Sequence, residues 1–137
     1  MSDSTPSSPQ LQVVLGYLRA LEQGADEATL AGFFAPGFRQ HEFPNRLVER
    51  GAARGLEQTL EGSRKGRTVI QNQRFDVNNA LVEGERVAVE LTWTGQLRVP
   101  LGKLTPGDVM TAHCGVFFRI VDGRIAEQHN FDCFEPF

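Results

Sequence analysis

The chain has 137 residues, with Lys and Arg totalling 14 against 17 Asp and Glu, a formal net charge of −3. That length suits one domain with a real core, and the mild negative charge, with no basic run, argues against a nucleic-acid partner or an anionic membrane surface. No apolar run approaches the roughly 18 residues of a membrane span, and the opening MSDSTPSSPQ lacks the charged and apolar regions of a secretory signal, so the expected location is the cytoplasm.

Residues 1–8 are polar and Pro/Ser-rich and read as a disordered lead-in to a single domain over 9–137. Ser8-Pro9 is a helix start, a capping hydroxyl followed by proline in the first turn. Leu11, Val14, Leu15, Leu18 and Leu21 come next at helical spacing, and Gly24 ends the run. Asp26 caps a second helix with Leu30, Phe33 and Phe34 on its inner side, stopped by Pro36-Gly37. Phe38 to Glu42 reads as a brief strand and Pro44 to Gly51 as a loop. A third helix is expected over Ala52 to Gly62, with Leu56 and Leu60 buried, though Gly55 and Gly62 weaken it.

Beyond Arg67 the period changes to that of strands. Thr68 to Val77 is one, Ala80-Leu81-Val82 leads into a turn at Glu83-Gly84, and Arg86 to Val99 is another, with Val87, Val89, Leu91 and Trp93 on one face. A Pro/Gly loop over Pro100 to Asp108 precedes the last stretch, Met110 to Phe137. There Asp122-Gly123 sits between apolar runs, the signature of a tight hairpin turn whose central residues take positive φ. Helices first and long antiparallel strands after them predict an α+β fold. The sheet, mixed or antiparallel, curls into an open cone whose concave face is covered by about three helices, enclosing a pocket.

Pairing Val121 with Arg124 and counting outward without interruption sets Phe117 opposite Gln128, Gly115 opposite Asn130, and His113 opposite Asp132. On that register one face holds an imidazole beside a carboxylate, directly opposed residues being about 5 Å apart at Cβ. The other face carries Cys114, Val116, Phe118, Ile120, Ile125, His129, Phe131 and Cys133. Asp132 and His113 are thus a candidate acid/base pair, to be weighed against a purely structural hydrogen bond. His41 and Glu42 stand on a short strand at the expected pocket mouth, where only one can point inward. Tyr17, the lone tyrosine, is a candidate hydrogen-bond donor or a core residue. Trp93, Phe117, Phe33 and Phe34 read as core or pocket wall, with Gln128 and Asn130 as polar wall groups. His41, His113, Glu42 and Asp132 have no metal-binding spacing, so no metal and no cofactor are expected. Cys114 and Cys133 read as two buried free thiols.

Four stretches resemble a known family. They are Gln40-His41-Glu42-Phe43-Pro44, Thr92-Trp93-Thr94-Gly95, Thr105-Pro106-Gly107, and the run from Phe118 to Glu127 ahead of an aspartate. In order and spacing the chain resembles the nuclear transport factor 2-like superfamily, and within it the SnoaL-like polyketide cyclases and ketosteroid isomerase relatives. The resemblance implies that Tyr17 falls where the isomerases keep a hydrogen-bonding tyrosine and Glu42 at or beside their carboxylate base. Gly115 falls where they keep a protonated aspartic acid, so half of that oxyanion hole is missing and steroid isomerisation is not implied. Asp132 lies close to the acid/base aspartate of the cyclases.

The residues support two readings. In the first, Asp132 or Glu42 removes a proton beside a carbonyl of a small, largely apolar compound, and His113 or Tyr17 stabilises the enolate, giving isomerisation, aldol cyclisation or dehydration without a cofactor. In the second, the same cone is a ligand-binding or dimerisation module. The apolar sheet face opposite the helices calls for a second copy of the chain, as sheet-to-sheet dimers are common among the resembling families.

Overall fold

Ser8 opens the first helix as its residue type dictates. Its side chain accepts from the Leu11 N–H at 3.0 Å, and α1 runs Pro9–Glu22 with Val14, Tyr17, Leu18 and Ala20 buried. This computed structural model describes residues 8–137; the lead-in expected over residues 1–8 lies, Ser8 apart, outside the described residues. Asp26 caps α2, Glu27–Ala31, through the Thr29 N–H. The helix ends at Gly32, before the Pro36-Gly37 stop that the sequence suggested. The sheet claims the next two residues, for the Ile125 N–H donates to the Phe33 carbonyl at 2.8 Å and Phe34 enters β1, Phe34–Glu42. Tertiary pairing overrides the helical pattern there, and Phe33 and Phe34 lie outside any helix.

A short β2, Ala52–Arg54, pairs antiparallel with the end of β1. The third helix accordingly starts later than expected, α3 being Leu56–Val69. Gly55 precedes it, its N–H bonded to Gln58 Oε1 at 2.9 Å. The strand expected over Thr68 to Val77 begins later and runs on through Ala80-Leu81-Val82 as β3, Ile70–Glu83, with irregularities between Gln71 and Arg74 and between Val77 and Asn79. β4, Arg86–Leu97, buries Val87, Val89 and Leu91 on one face as the alternation predicts.

The closing hairpin is β5, Val109–Val121, and β6, Arg124–Phe134. Its turn has Asp122 at φ 52° and Gly123 at φ 76°, both left-handed as a two-residue hairpin loop requires. The register then departs from the uninterrupted count. Ile120 pairs with Ile125 but Arg119 pairs with Glu127, so Ala126 is an extra residue. This β-bulge moves every later pairing by one. Phe118 faces Gln128, Cys114 faces Asp132, and His113 faces Cys133.

The strands form one mixed sheet in the order β2-β1-β6-β5-β4-β3, with β1 parallel to β6. It is open rather than closed into a barrel, and with the helices it makes the cone expected from the sequence. The core joins the α1 residues Val14, Tyr17 and Leu18 to Phe34, Phe38, Leu91, Val116, Phe118 and Ile125. The helices therefore lie on the face carrying Cys114, Val116 and Phe118, not on the face carrying His113. No helix among the described residues is long and apolar enough to cross a membrane.

Candidate functional site

Between the helices and the concave face lies a cavity of about 630 Å³, within the usual range for small-molecule sites. Alternation along β6 turns Gln128, Asn130 and Asp132 into it, and β1, in parallel register with Gln40 opposite Gln128 and Glu42 opposite Asn130, adds Gln40 and Glu42. β5 contributes Cys114, Val116 and Phe118, and α1 contributes Tyr17. Trp93 forms part of the wall, its indole N–H donating to Gln73 Oε1 at 3.1 Å. A Cβ on Gly95 would stand 2.7 Å from the Trp93 ring, so only glycine lets that ring lie against the backbone.

A directional chain of hydrogen bonds crosses the polar wall. Arg54 Nη1 lies 2.8 Å from Glu42 Oε1 in an ion pair and 3.4 Å from Gln40 Oε1. Glu42 Oε2 also accepts from Asn45 Nδ2 at 2.8 Å. Gln40 Nε2 donates to Asn130 Oδ1 at 3.0 Å, and Gln128 Nε2 donates to the same oxygen at 2.9 Å. Cys114 faces Asp132 across β5 and β6, and Asn130 stands two residues before Asp132 on the same face of β6.

The two carboxylates are thereby made unlike. Glu42 is ion-paired with a guanidinium, whereas Asp132 has no cationic partner among the described residues. Burial raises the Asp132 pKa and the nearby Glu42 charge adds to that, against the opposing influence of the Cys114 and Asn130 side chains. Desolvation, with Asp132 beside it, pushes the Cys114 thiol up as well, so it is a neutral donor rather than a nucleophile. Tyr17 is raised by burial alone and remains a phenol. Its hydroxyl lines the cavity and makes no hydrogen bond among the described residues.

The structure gathers some sequence-picked residues here and disperses others. Asp132, Glu42, Tyr17, Trp93, Asn130 and Gln128 line the cavity. His113 does not, because the Ala126 bulge sets it on the outer face, where its Nε2 lies 2.8 Å from Glu135 Oε2 and both side chains are more than half exposed. Its pairing with Asp132 is overturned. His41 also points outward, 5.2 Å from the His129 ring, and Phe117 is 53% exposed. Phe33, tilted at a ring distance of 5.8 Å, and Phe34, edge-on at 5.1 Å, pack against Tyr17 rather than lining the cavity. Cys133 is exposed and Cys114 buried, both as free thiols. Gly115 faces outward with Glu90, so a side chain there would not reach the cavity. Among the described residues no three His, Cys, Asp or Glu groups cluster as metal ligands do.

Sequence reasoning missed Gln40, Arg54 and the inward face of Cys114. Parity was the available signal for Gln40, since Glu42 pointing inward carries Gln40 with it. Arg54 arrives only through the unforeseen β2.

A family profile described as a SnoaL-like domain matches residues 14–128. No curated protein matches by sequence. Among solved structures, IdmH from Streptomyces antibioticus superposes with TM-score 0.76 at 21% identity, covering 92% of each chain. A SnoaL-like polyketide cyclase from Agrobacterium tumefaciens gives 0.70 at 17%, again covering 92% of each. A protein of ketosteroid isomerase-like fold from Catenulispora acidiphila, in complex with trimethylamine, gives 0.70 at 17%, covering 87% of this chain and 83% of its own. At such identities these structures speak to the fold alone.

Proposed function

Since the chain belongs to the SnoaL-like domain family, we propose that it is a cofactor-independent acid/base enzyme for a small, largely apolar carbonyl compound. The reaction type is isomerisation, aldol cyclisation or dehydration. One observation carries this reading: Asp132 is a cavity carboxylate with no cation beside it among the described residues, in surroundings that raise its proton affinity.

In the proposed step the Asp132 carboxylate takes a proton from the carbon beside the substrate carbonyl. The C–H electron pair moves into the enolate, whose oxygen accepts a hydrogen bond from the Tyr17 hydroxyl. Asp132, now protonated, returns the proton to the substrate at another atom, or to the oxygen that leaves. Asn130 and Cys114 flank the carboxylate, while Glu42 is held by Arg54 and Asn45.

The test is deuterium exchange at the carbon next to the carbonyl of a bound cyclic ketone, followed by NMR. Exchange catalysed by the parent and lost in Asp132→Asn supports the proposal. Saturable ketone binding with no exchange in the parent would leave a binding module in its place.

Two further proposals attach to this reading. Phe43, Phe117 and Phe131 form a contiguous exposed aromatic patch on the outer face, Phe43 stacked on Phe131 at 4.5 Å and Phe117 edge-on at 5.9 Å. Such a patch suits a two-fold homodimer through the open face of the sheet. The free thiols suit a reducing compartment, and we place the protein in the cytoplasm.

A further inference from the structure

All three histidines of the chain stand on the outer face of the sheet, away from the cavity. His113 is taken up by Glu135, 2.8 Å away. His41 and His129 are not. Directly opposed in the parallel register of β1 and β6, they have no hydrogen bond to a ring nitrogen among the described residues. Their ring centres are 5.2 Å apart, with the planes at 79°. Two imidazoles that bind one tetrahedral ion through a nitrogen each, at about 2.0–2.1 Å, have their centres about 5 Å apart. The pair already has the separation of two ligands on a shared metal ion.

A tetrahedral site needs four donors, and one chain brings two. His129 lies opposite Phe117 on β5 and two residues before Phe131, and the Phe43 ring is 6.0 Å from its own. The same three exposed phenylalanines that suit a contact between copies therefore frame the imidazole pair. A two-fold contact buries the same patch of both copies, so a second copy seated there brings its own pair of imidazoles to the first. Covered in that way, ring nitrogens without a partner would be costly. One divalent ion satisfies a nitrogen on each of the four rings.

We infer that His41 and His129 of two copies together hold one zinc-type divalent ion at the homodimer interface. Imidazole nitrogen suits such ions, whereas magnesium and calcium take oxygen donors. The inference rests on the proposed dimer and adds to it a site that neither copy completes alone.

The test is sedimentation equilibrium of the full chain, freed of metal with a chelator and then dialysed, at low micromolar concentration with and without zinc chloride. Zinc should tighten the dimer at least about tenfold, the effect being complete at one ion per two chains, and magnesium should do nothing. His41→Ala and His129→Ala should each remove the zinc response. Cys133→Ser, which takes away the exposed thiol, should leave it intact. Zinc bound at one per chain with no gain in association would overturn the inference, as would a response that survives either histidine variant. The two readings fail separately. A dimer that forms without metal, is lost in Phe131→Glu and ignores zinc keeps the aromatic interface and removes the ion. A chain that stays single with and without zinc removes both.

Discussion

Arg54→Met probes the division of labour between the two cavity carboxylates. In the ion pair the side chains are 27% and 16% exposed for Arg54 and Glu42, between the screened surface pairs worth under about 1 kcal/mol and the fully buried ones whose breaking costs about 3–5 kcal/mol. Removing the guanidinium leaves Glu42 ionised beside Asp132, with only Asn45 as a donor, and should cost about 2 kcal/mol at neutral pH. Glu42→Gln placed on top of Arg54→Met should recover most of the loss, because the buried charge is then gone. Urea denaturation followed by Trp93 fluorescence measures all three variants. A loss below about 0.5 kcal/mol, or a double variant no more stable than the single, would show that Glu42 does not depend on Arg54 and would refute the asymmetry.

Other consequences rest on single residues. Phe38 is 2% exposed and packs on Phe34 at 4.3 Å, so Phe38→Ala should cost about 3–5 kcal/mol in the same denaturation assay. Asp132 has a folded pKa raised above its unfolded value, so its contribution to stability is fully present below the unfolded pKa and lost as pH rises through the folded one. Asp132→Asn should therefore melt at a higher temperature than the parent at pH 7, with the gain vanishing below about pH 3.5. If the outer aromatic patch joins two copies, sedimentation should give twice the 15.2 kDa chain mass, and Phe131→Glu should give the single mass.

Local chemistry was readable from the chain because it acts over a few residues. The Ser8 and Asp26 caps, the Asp122-Gly123 turn and the alternation in β4 each require only neighbours. The same alternation correctly grouped Gln128, Asn130 and Asp132. What failed was the relation between strands. Ala126 has no feature that marks a bulge, yet it moves His113 from beside Asp132 to the opposite face and brings Cys114 there instead. The polar wall depends further on the parallel pairing of β1 with β6 and on the three-residue β2, neither of which has a local signal. Phe33 and Phe34 show the converse, a helical pattern broken by a sheet that needed those residues.

The pH dependence of deuterium exchange into a cyclic ketone, compared between the parent and Glu42→Gln, tests the assignment of the base most directly. The rate should rise with pH through a midpoint above the ordinary aspartate value of about 3.9. Removing the Glu42 charge, which helps hold that midpoint up, should move it to lower pH with exchange retained. Exchange abolished by Glu42→Gln, or a midpoint unmoved by it, would contradict Asp132 as the proton acceptor.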